Sequence, residues 1–206
     1  MATAGKVLGR LNPKTTCLLI CDVQERFRDL IFNFSSVASA AGFLVGASRV
    51  LGMRALATEQ YPERLGATVA EVGLVSEGAA AIPALPKKKF SMFTPEVEAK
   101  LAEMQAEDGQ EQFDSFVIVG LETHVCVQQT CFDLLAKGYN VHLAVDGISS
   151  MRAFDRATAL DRMRAAGAFA STAESLVFEL LGSADHPEFK KCSGLVKARA
   201  DHWPSV

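Results

Sequence analysis

The stretch Thr16-Cys-Leu-Leu-Ile-Cys-Asp22 decides the fold. Its apolar residues run on without alternation and stop at an acid. A strand with one wet face would alternate, so this one is read as covered on both faces. Similar runs return at Met53-Arg-Ala-Leu-Ala-Thr58, Ser115-Phe-Val-Ile-Val-Gly-Leu121 and Asn140-Val-His-Leu-Ala-Val-Asp146. Segments with helical spacing lie around them. Ser35 or Ser36 can cap a helix through Val37, Ala41, Leu44, Val45 and Val50, with Gly52 as its stop. Pro95 at a first turn opens a helix over Glu96 to Gln105, and a helix from near His124 closes at Gly138. Phe154 to Ala166 and Ala173 to Leu181 add two more. Strands alternating with helices imply right-handed crossovers, so the expected class is α/β: a three-layer α/β/α sandwich around a mostly parallel, Rossmann-like central sheet.

Composition narrows the function classes. The chain has 206 residues, 49% hydrophobic and 22% charged, with a net charge of -3. Such a chain can bury roughly two-thirds of its unfolded surface in one core, which excludes disorder for its bulk. A single domain over 1–206 is expected, with a core over about residues 14–183 and a C-terminal extension over 184–206 whose last residues are loose. The longest apolar stretch, around Phe43 to Leu51, is broken by Gly46, Ser48 and Arg49, so no membrane span is expected. The mildly acidic balance gives no basic footprint for nucleic acid. A small, uncharged or cationic molecule is the expected partner. The five cysteines, Cys17, Cys21, Cys126, Cys131 and Cys192, form no C-x-x-C pair or even ladder, which points to a reducing compartment. A cytoplasmic protein is expected. The basic residues Lys6, Arg10 and Lys14 leave organelle import open, with a frayed terminus as the simpler reading.

Ligands of an open parallel sheet sit at the carboxyl ends of its strands, so polar residues there are the first candidates. Asp22 ends the first strand, Thr58-Glu59-Gln60 the second, and Glu122-Thr-His-Val-Cys126 follows the central one. Cys126 lies at a strand-to-helix turn, where backbone amides can activate a thiol and bind an oxyanion. Each residue also has a plainer reading. Cys126 could be a small buried hydrophobe, Asp22 a helix cap, and Lys87-Lys88-Lys89 a solvated charge run. The poorly patterned Ser76 to Pro86 is the kind of loop that lines sites.

Taken together, these segments resemble the isochorismatase-like cysteine hydrolases. Cys21-Asp-Val-Gln-Glu-Arg-Phe27 resembles their D-x-Q-x-x-F segment, Lys87-Lys-Lys-Phe-Ser-Met-Phe93 their K-x-x-[YF]-S-x-F segment, and Gly120-Leu-Glu-Thr-His-Val-Cys-Val127 their nucleophile turn. Thr58-Glu-Gln-Tyr-Pro62, Leu65-Gly66 and the Ser149-Ser150 region resemble the eukaryotic isochorismatase-domain-containing subgroup. The resemblance covers about Thr16 to Leu181 and selects Lys87 from its three-lysine run. It implies a Cys126 nucleophile, Asp22 as the group that takes and returns the proton, and Lys87 as the cation that holds the thiolate and orients the acid. It also implies a cis Leu121–Glu122 peptide that aims the Glu122 and Cys126 amides at an oxyanion, and a thioester intermediate. The physical chemistry agrees, since a cation beside a thiol favours its ionised form and a nearby carboxylate supplies a base.

Departures from the family pattern narrow the activity. Nicotinamidases of this family carry an Asp-x-His metal motif after the second strand, where this chain has Glu59-Gln60-Tyr61. No metal site and no cofactor are expected. Isochorismatases in the strict sense lack the nucleophilic cysteine, so Cys126 argues against the activity in the family's name. The expected function is thiol-dependent hydrolysis of a C–N amide-like or related acyl bond. The alternatives are a silent member that binds a metabolite or protein without turnover, and a nucleotide-binding protein or nuclease, which has neither a nucleotide motif nor paired acids behind it. Gln24, Phe27, Gln60, Tyr61, Phe90 and His124 are candidate substrate contacts, with Phe93 a further determinant of pocket shape. For Gln24 a cap partner, for Tyr61-Pro62 a rigid turn and for His124 a solvent-facing helix start are the competing readings. Apolar residues on the helix near Ala153 to Ala166 suggest a homodimer or higher homo-oligomer.

Overall fold

The computed structural model describes residues 8–106 and 112–200. The N-terminal reading of residues 1–7 and the loose end expected over 201–206 lie outside them. Six strands form one sheet: β1 (Thr16–Cys21), β2 (Arg54–Gln60), β3 (Ala84–Lys87), β4 (Ser115–Leu121), β5 (Asn140–Ser149) and β6 (Phe169–Ser171). Their spatial order is β3-β2-β1-β4-β5-β6. Every neighbouring pair is parallel. All six residues of β1 are buried, as its unbroken apolar run requires.

Alternate β1 side chains feed two separate cores. Leu18 and Ile20 face a layer containing α1 (Phe34–Leu51), α6 (Ala173–Leu181) and α7 (Phe189–Ala200). Cys17, Leu19 and Cys21 face α3 (Pro95–Ala106), α4 (Gln128–Ala136) and α5 (Ala153–Ala165) through Val97, Leu101, Cys131, Leu134 and Met163. Each fully buried Leu or Ile is worth about 1.5–3 kcal/mol, so the two cores rather than helix propensity hold the layers.

Helix α1 stops where the sequence placed its stop: Gly52 sits at φ 65° and its N–H reaches the Arg49 and Ser48 carbonyls. Its start differs. Asn33, left-handed at φ 53°, precedes it, and Ser36 Oγ instead donates to the Asp146 carbonyl at 3.0 Å. By length and a hydropathy of 1.4, α1 could cross a bilayer, yet 56% of it is buried within the fold.

The C-terminal extension is a built part of the core. Cys192 on α7 is fully buried, and Leu195 packs so near Gly46 of α1 that a Cβ there would stand 3.3 Å from it. Arg199 pairs with Asp146 of β5 at 2.8 Å. Phe189, Cys192, Leu195 and Val196 recur at helical spacing, which was the available signal. Edge strands β3 and β6 were absent from the sequence reading because they have four and three residues, too few for a period. Pro86 in β3 is tolerated because an edge strand needs fewer ladder bonds.

Candidate active site

From β1 the chain winds outward through β2 to β3, then returns to the other side of β1 as β4. That reversal opens a crevice at the carboxyl ends of the strands. Asp22 follows β1, Lys87 ends β3, and Cys126 lies five residues beyond β4. Residues remote in sequence therefore share the carboxyl end of the sheet.

Asp22 is held in a left-handed conformation, φ 54°, and its carboxylate is engaged on both oxygens. Oδ2 meets Lys87 Nζ at 2.7 Å, the two side chains being 2% and 1% exposed. Oδ1 accepts from Thr58 Oγ1 at 2.8 Å. The ammonium also donates to Gln60 Oε1 at 2.7 Å, the Phe90 carbonyl at 2.8 Å and the Lys89 carbonyl at 3.1 Å. Burial by itself would pull Lys87 down, but the acidic groups Cys21, Asp22 and Cys126 outweigh it and leave the lysine above its usual 10.5. Lys88 and Lys89 have other surroundings. One lies over the Tyr61 ring at 5.0 Å, and the other pairs with Asp133 at 2.9 Å on the surface.

The nucleophile turn is built differently from the expectation. No peptide bond among the described residues is cis, Leu121–Glu122 included. The chain changes direction through a left-handed Glu122, φ 55°, followed by a wide turn of π-helix over Thr123–Val127. The Glu122 carbonyl accepts from the amides of both Val125 (2.8 Å) and Val127 (3.3 Å). Cys126 is 5% exposed and reaches the pocket. Its carbonyl accepts from Thr130 Oγ1 at 2.7 Å, and that hydroxyl accepts from the Met92 amide at 2.8 Å. This pair of bonds ties the turn to the segment that carries Lys87.

Cys21 joins the two halves of the site. Its thiol lies 3.7 Å from Asp22 Oδ2, and it shares a buried cluster with Cys126, near enough for the two thiols to interact electrostatically. Burial, then the neighbouring Cys126 thiol, then the Asp22 charge push it well above the ordinary thiol value, so it stays protonated at neutral pH.

A cavity of about 460 Å³ opens above Cys126. Of the residues expected to meet substrate, Phe27, Gln60, Tyr61, Phe90 and His124 line it. Gln24 does not. It is fully buried, its Nε2 donates to the Gln60 and Gly66 carbonyls, and its Oε1 accepts from the Gln60 amide. With both ends of its amide engaged, Gln24 clamps the pocket frame. Phe93 belongs to the core around Met92 and Val97. The Ser76 to Pro86 stretch also misses this cavity, and its Ile82 and Ala84 border a different groove beside Glu59 and Thr68. Glu59 is itself occupied, accepting from the Thr68 amide at 2.7 Å and hydroxyl at 2.9 Å. A larger groove of about 620 Å³ between Arg28, Glu71 and the start of α1 touches none of the three catalytic candidates.

Sequence reasoning missed Arg64, Leu65, Val125, Met151, Arg152 and Asp155, which complete the walls. The last three follow β5, whose end it placed at Asp146 instead of Ser149. The strand-end rule would have found them with that boundary corrected. They join a second polar cluster at the mouth. His124 Nδ1 lies 3.2 Å from Glu122 Oε2 and 3.0 Å from Ser150 Oγ. His124 Nε2 is 4.0 Å from Asp155, which pairs with Arg152 at 3.4 Å. Burial raises the Glu122 carboxyl above its usual 4.5, and the attraction of His124 offsets only part of that.

A doubly wound parallel sheet with a buried acid–lysine pair and a pocket-facing thiol at its switch point defines a protein of the α/β class with its ligand site at the carboxyl ends of the strands. The chain belongs to the isochorismatase family, whose domain model matches residues 16–175. It is 43% identical over 96% of its length to the secreted isochorismatase effector Isc1 of Phytophthora sojae, covering 91% of that protein. It is 44% identical over 94% of its length to isochorismatase domain-containing protein 1 of Salmo salar, of which it spans 65%. Among solved structures, one described as the MAR1 ribonuclease from Caenorhabditis elegans superposes with a TM-score of 0.82. That match has 38% identity and covers 91% of this chain and 92% of the other.

Proposed function

We propose that the protein is a thiol hydrolase that cleaves a C–N amide-like or related acyl bond of a small molecule. The observation that carries this reading is the sealed Asp22–Lys87 pair, 2.7 Å apart, at the same strand ends as Cys126, which lines a largely apolar pocket. The Cys126 thiol gives its proton to the Asp22 carboxylate, and the sulfur attacks the substrate carbonyl carbon. With no cis Leu121–Glu122 peptide to aim them, the Glu122 and Cys126 amides meet the developing oxyanion through the left-handed turn at Glu122 instead. Asp22 returns the proton to the departing amine, leaving a thioester on Cys126. Water then attacks that thioester, losing a proton to Asp22, and the acid product leaves as the thiol reforms. Lys87 stays charged throughout and fixes the carboxylate in place. Phe27, Tyr61, Phe90 and Met151 favour a substrate with an apolar body.

Two other readings are weaker. A silent, binding-only member would have no use for an acid and a lysine buried together, since such a pair costs desolvation that apolar residues would avoid. Three similar solved structures are described as ribonucleases, but this chain carries a net charge of -3, which gives no electrostatic pull toward RNA. RNA binding that falls steeply with salt would revive that reading.

The test is trapping and turnover. Iodoacetamide at neutral pH should label Cys126 ahead of the other four thiols, and Cys126→Ala should abolish hydrolysis of small amides while the fold survives. Lys87→Ala should slow that labelling more than Lys88→Ala or Lys89→Ala. Equal labelling of all cysteines, or full turnover by Cys126→Ala, would overturn the assignment. We also propose self-association, because Phe154 at the start of α5 is 77% exposed and Met151 beside it is 48% exposed. Sedimentation at two protein concentrations tests it, a monomer at both counting against it.

A further inference from the structure

We propose that Cys21 is the resolving thiol of Cys126: a hydroperoxide that enters the pocket oxidises Cys126, and Cys21 captures the product as a Cys21–Cys126 disulfide that shuts the site reversibly. The proposal rests on Cys126 being the reactive thiol.

Cys21 has no part in hydrolysis. It is fully buried and does not line the pocket, yet it sits beside both working groups, in one buried cluster with Cys126 and 3.7 Å from Asp22 Oδ2, with Cys126 within electrostatic range. The approach is built into the sheet. Cys21 ends β1 opposite Gly120 of β4, and a Cβ at Gly120 would run into the Cys21 backbone and side chain. Any larger residue there would push the nucleophile turn, which starts two positions later, away from Cys21. The other thiols are placed elsewhere. Cys192 lies in the opposite core layer. Cys17 is four residues back along β1, about 13 Å at 3.3 Å per residue. Cys131 is inside α4.

The chemistry balances with peroxide as the oxidant. The Cys126 thiolate attacks one oxygen of hydrogen peroxide, the O–O bond breaks, hydroxide leaves, and a sulfenic acid remains on Cys126. The Cys21 sulfur then attacks that sulfur, forming S–S and breaking S–O. The leaving hydroxide takes up the proton that Cys21 loses through Asp22, and departs as water. Burial keeps Cys21 protonated until then, so capture waits for the sulfenic acid and for the adjacent Asp22 carboxylate to accept the proton. The product has no free thiol at Cys126 and cannot hydrolyse. Dithiothreitol restores both thiols.

The experiment treats the full-length protein with a small excess of hydrogen peroxide under native conditions. Remaining thiols are blocked in denaturant and the peptides mapped by mass spectrometry, with and without dithiothreitol. Iodoacetamide labelling of untreated protein is run alongside. The expected result is a Cys21–Cys126 linked peptide in the wild type. In Cys21→Ser, Cys126 should instead proceed to sulfinic acid, with dithiothreitol-recoverable labelling reduced about tenfold. The wild-type map decides the matter even if the variant folds poorly. Sulfinic acid at Cys126 in the wild type, or a link from Cys126 to Cys131, would overturn the proposal while leaving the nucleophile assignment intact. Failure of iodoacetamide to prefer Cys126 in untreated protein would instead remove the nucleophile reading and this proposal with it.

Discussion

Two charged clusters stand within one site and differ in almost every physical respect. The Asp22–Lys87 pair is sealed, both side chains at most 2% exposed, and every partner is a fixed strand-end group or a carbonyl. The Glu122–His124–Asp155–Arg152 cluster is open to the pocket mouth, with side chains from 14% to 78% exposed. A buried pair gains from the low dielectric around it and loses heavily when one member is removed. A wet cluster is screened and forgiving. The sealed pair is thus suited to fixing geometry for chemistry. The open one is suited to sorting what enters.

Substitutions can break or sharpen that contrast. The largest effect is expected from Lys87→Ala, which strands the Asp22 carboxylate in the core. A loss of about 3–5 kcal/mol is expected, read as a lowered denaturant midpoint, together with lost turnover. A loss no greater than that of Lys88→Ala would dissolve the distinction. Thr58→Val removes one donor from Asp22 without changing the shape of the core, and should cost about 1.5–3 kcal/mol by the same measurement.

Glu122→Gln separates the clusters by pH. Burial raises the folded carboxyl above 4.5, so the folded state binds the proton more tightly than the unfolded chain. Wild-type stability should therefore fall as pH rises from about 4.5 through the folded value, and the variant should lose that slope. A variant whose stability profile overlays the wild type would refute the burial argument. Arg152→Ala should have the smallest effect, leaving the melting temperature unchanged while altering KM more than kcat. A clear drop in melting temperature would mean the mouth cluster is structural after all.

Legibility in the sequence followed the environment of each residue. β1 and β4 could be read directly, because strands covered on both faces are continuous apolar runs. Asp22 was legible as a strand-end group and Cys126 as part of a strand-to-helix turn, whereas Lys87, on the unread β3, was legible only as a match to a family segment. The partners that give them their environment were less so. Nothing local in Cys21-Asp22 shows that this cysteine contacts Cys126, 105 positions away. Gln24 has the same residue type whether it binds substrate or clamps a loop. Only its bonds to Gln60 and Gly66, 36 and 42 positions on, distinguish the two. The trans Leu121–Glu122 peptide with its left-handed Glu122 likewise replaced an expectation that no composition could have tested.

By itself the sequence determined the α/β class, the family and which acid, lysine and thiol are the candidates, because periodicity and short motifs are properties of neighbours along the chain. Tertiary structure decided which lysine is buried, which cysteine lies beside Cys126, which polar residues face the pocket, and that the C-terminal segment completes a core. Those are contacts between segments that only sheet order and crossover winding bring together, and the free energy that selects them is burial, which acts on surfaces in space rather than on positions in a string.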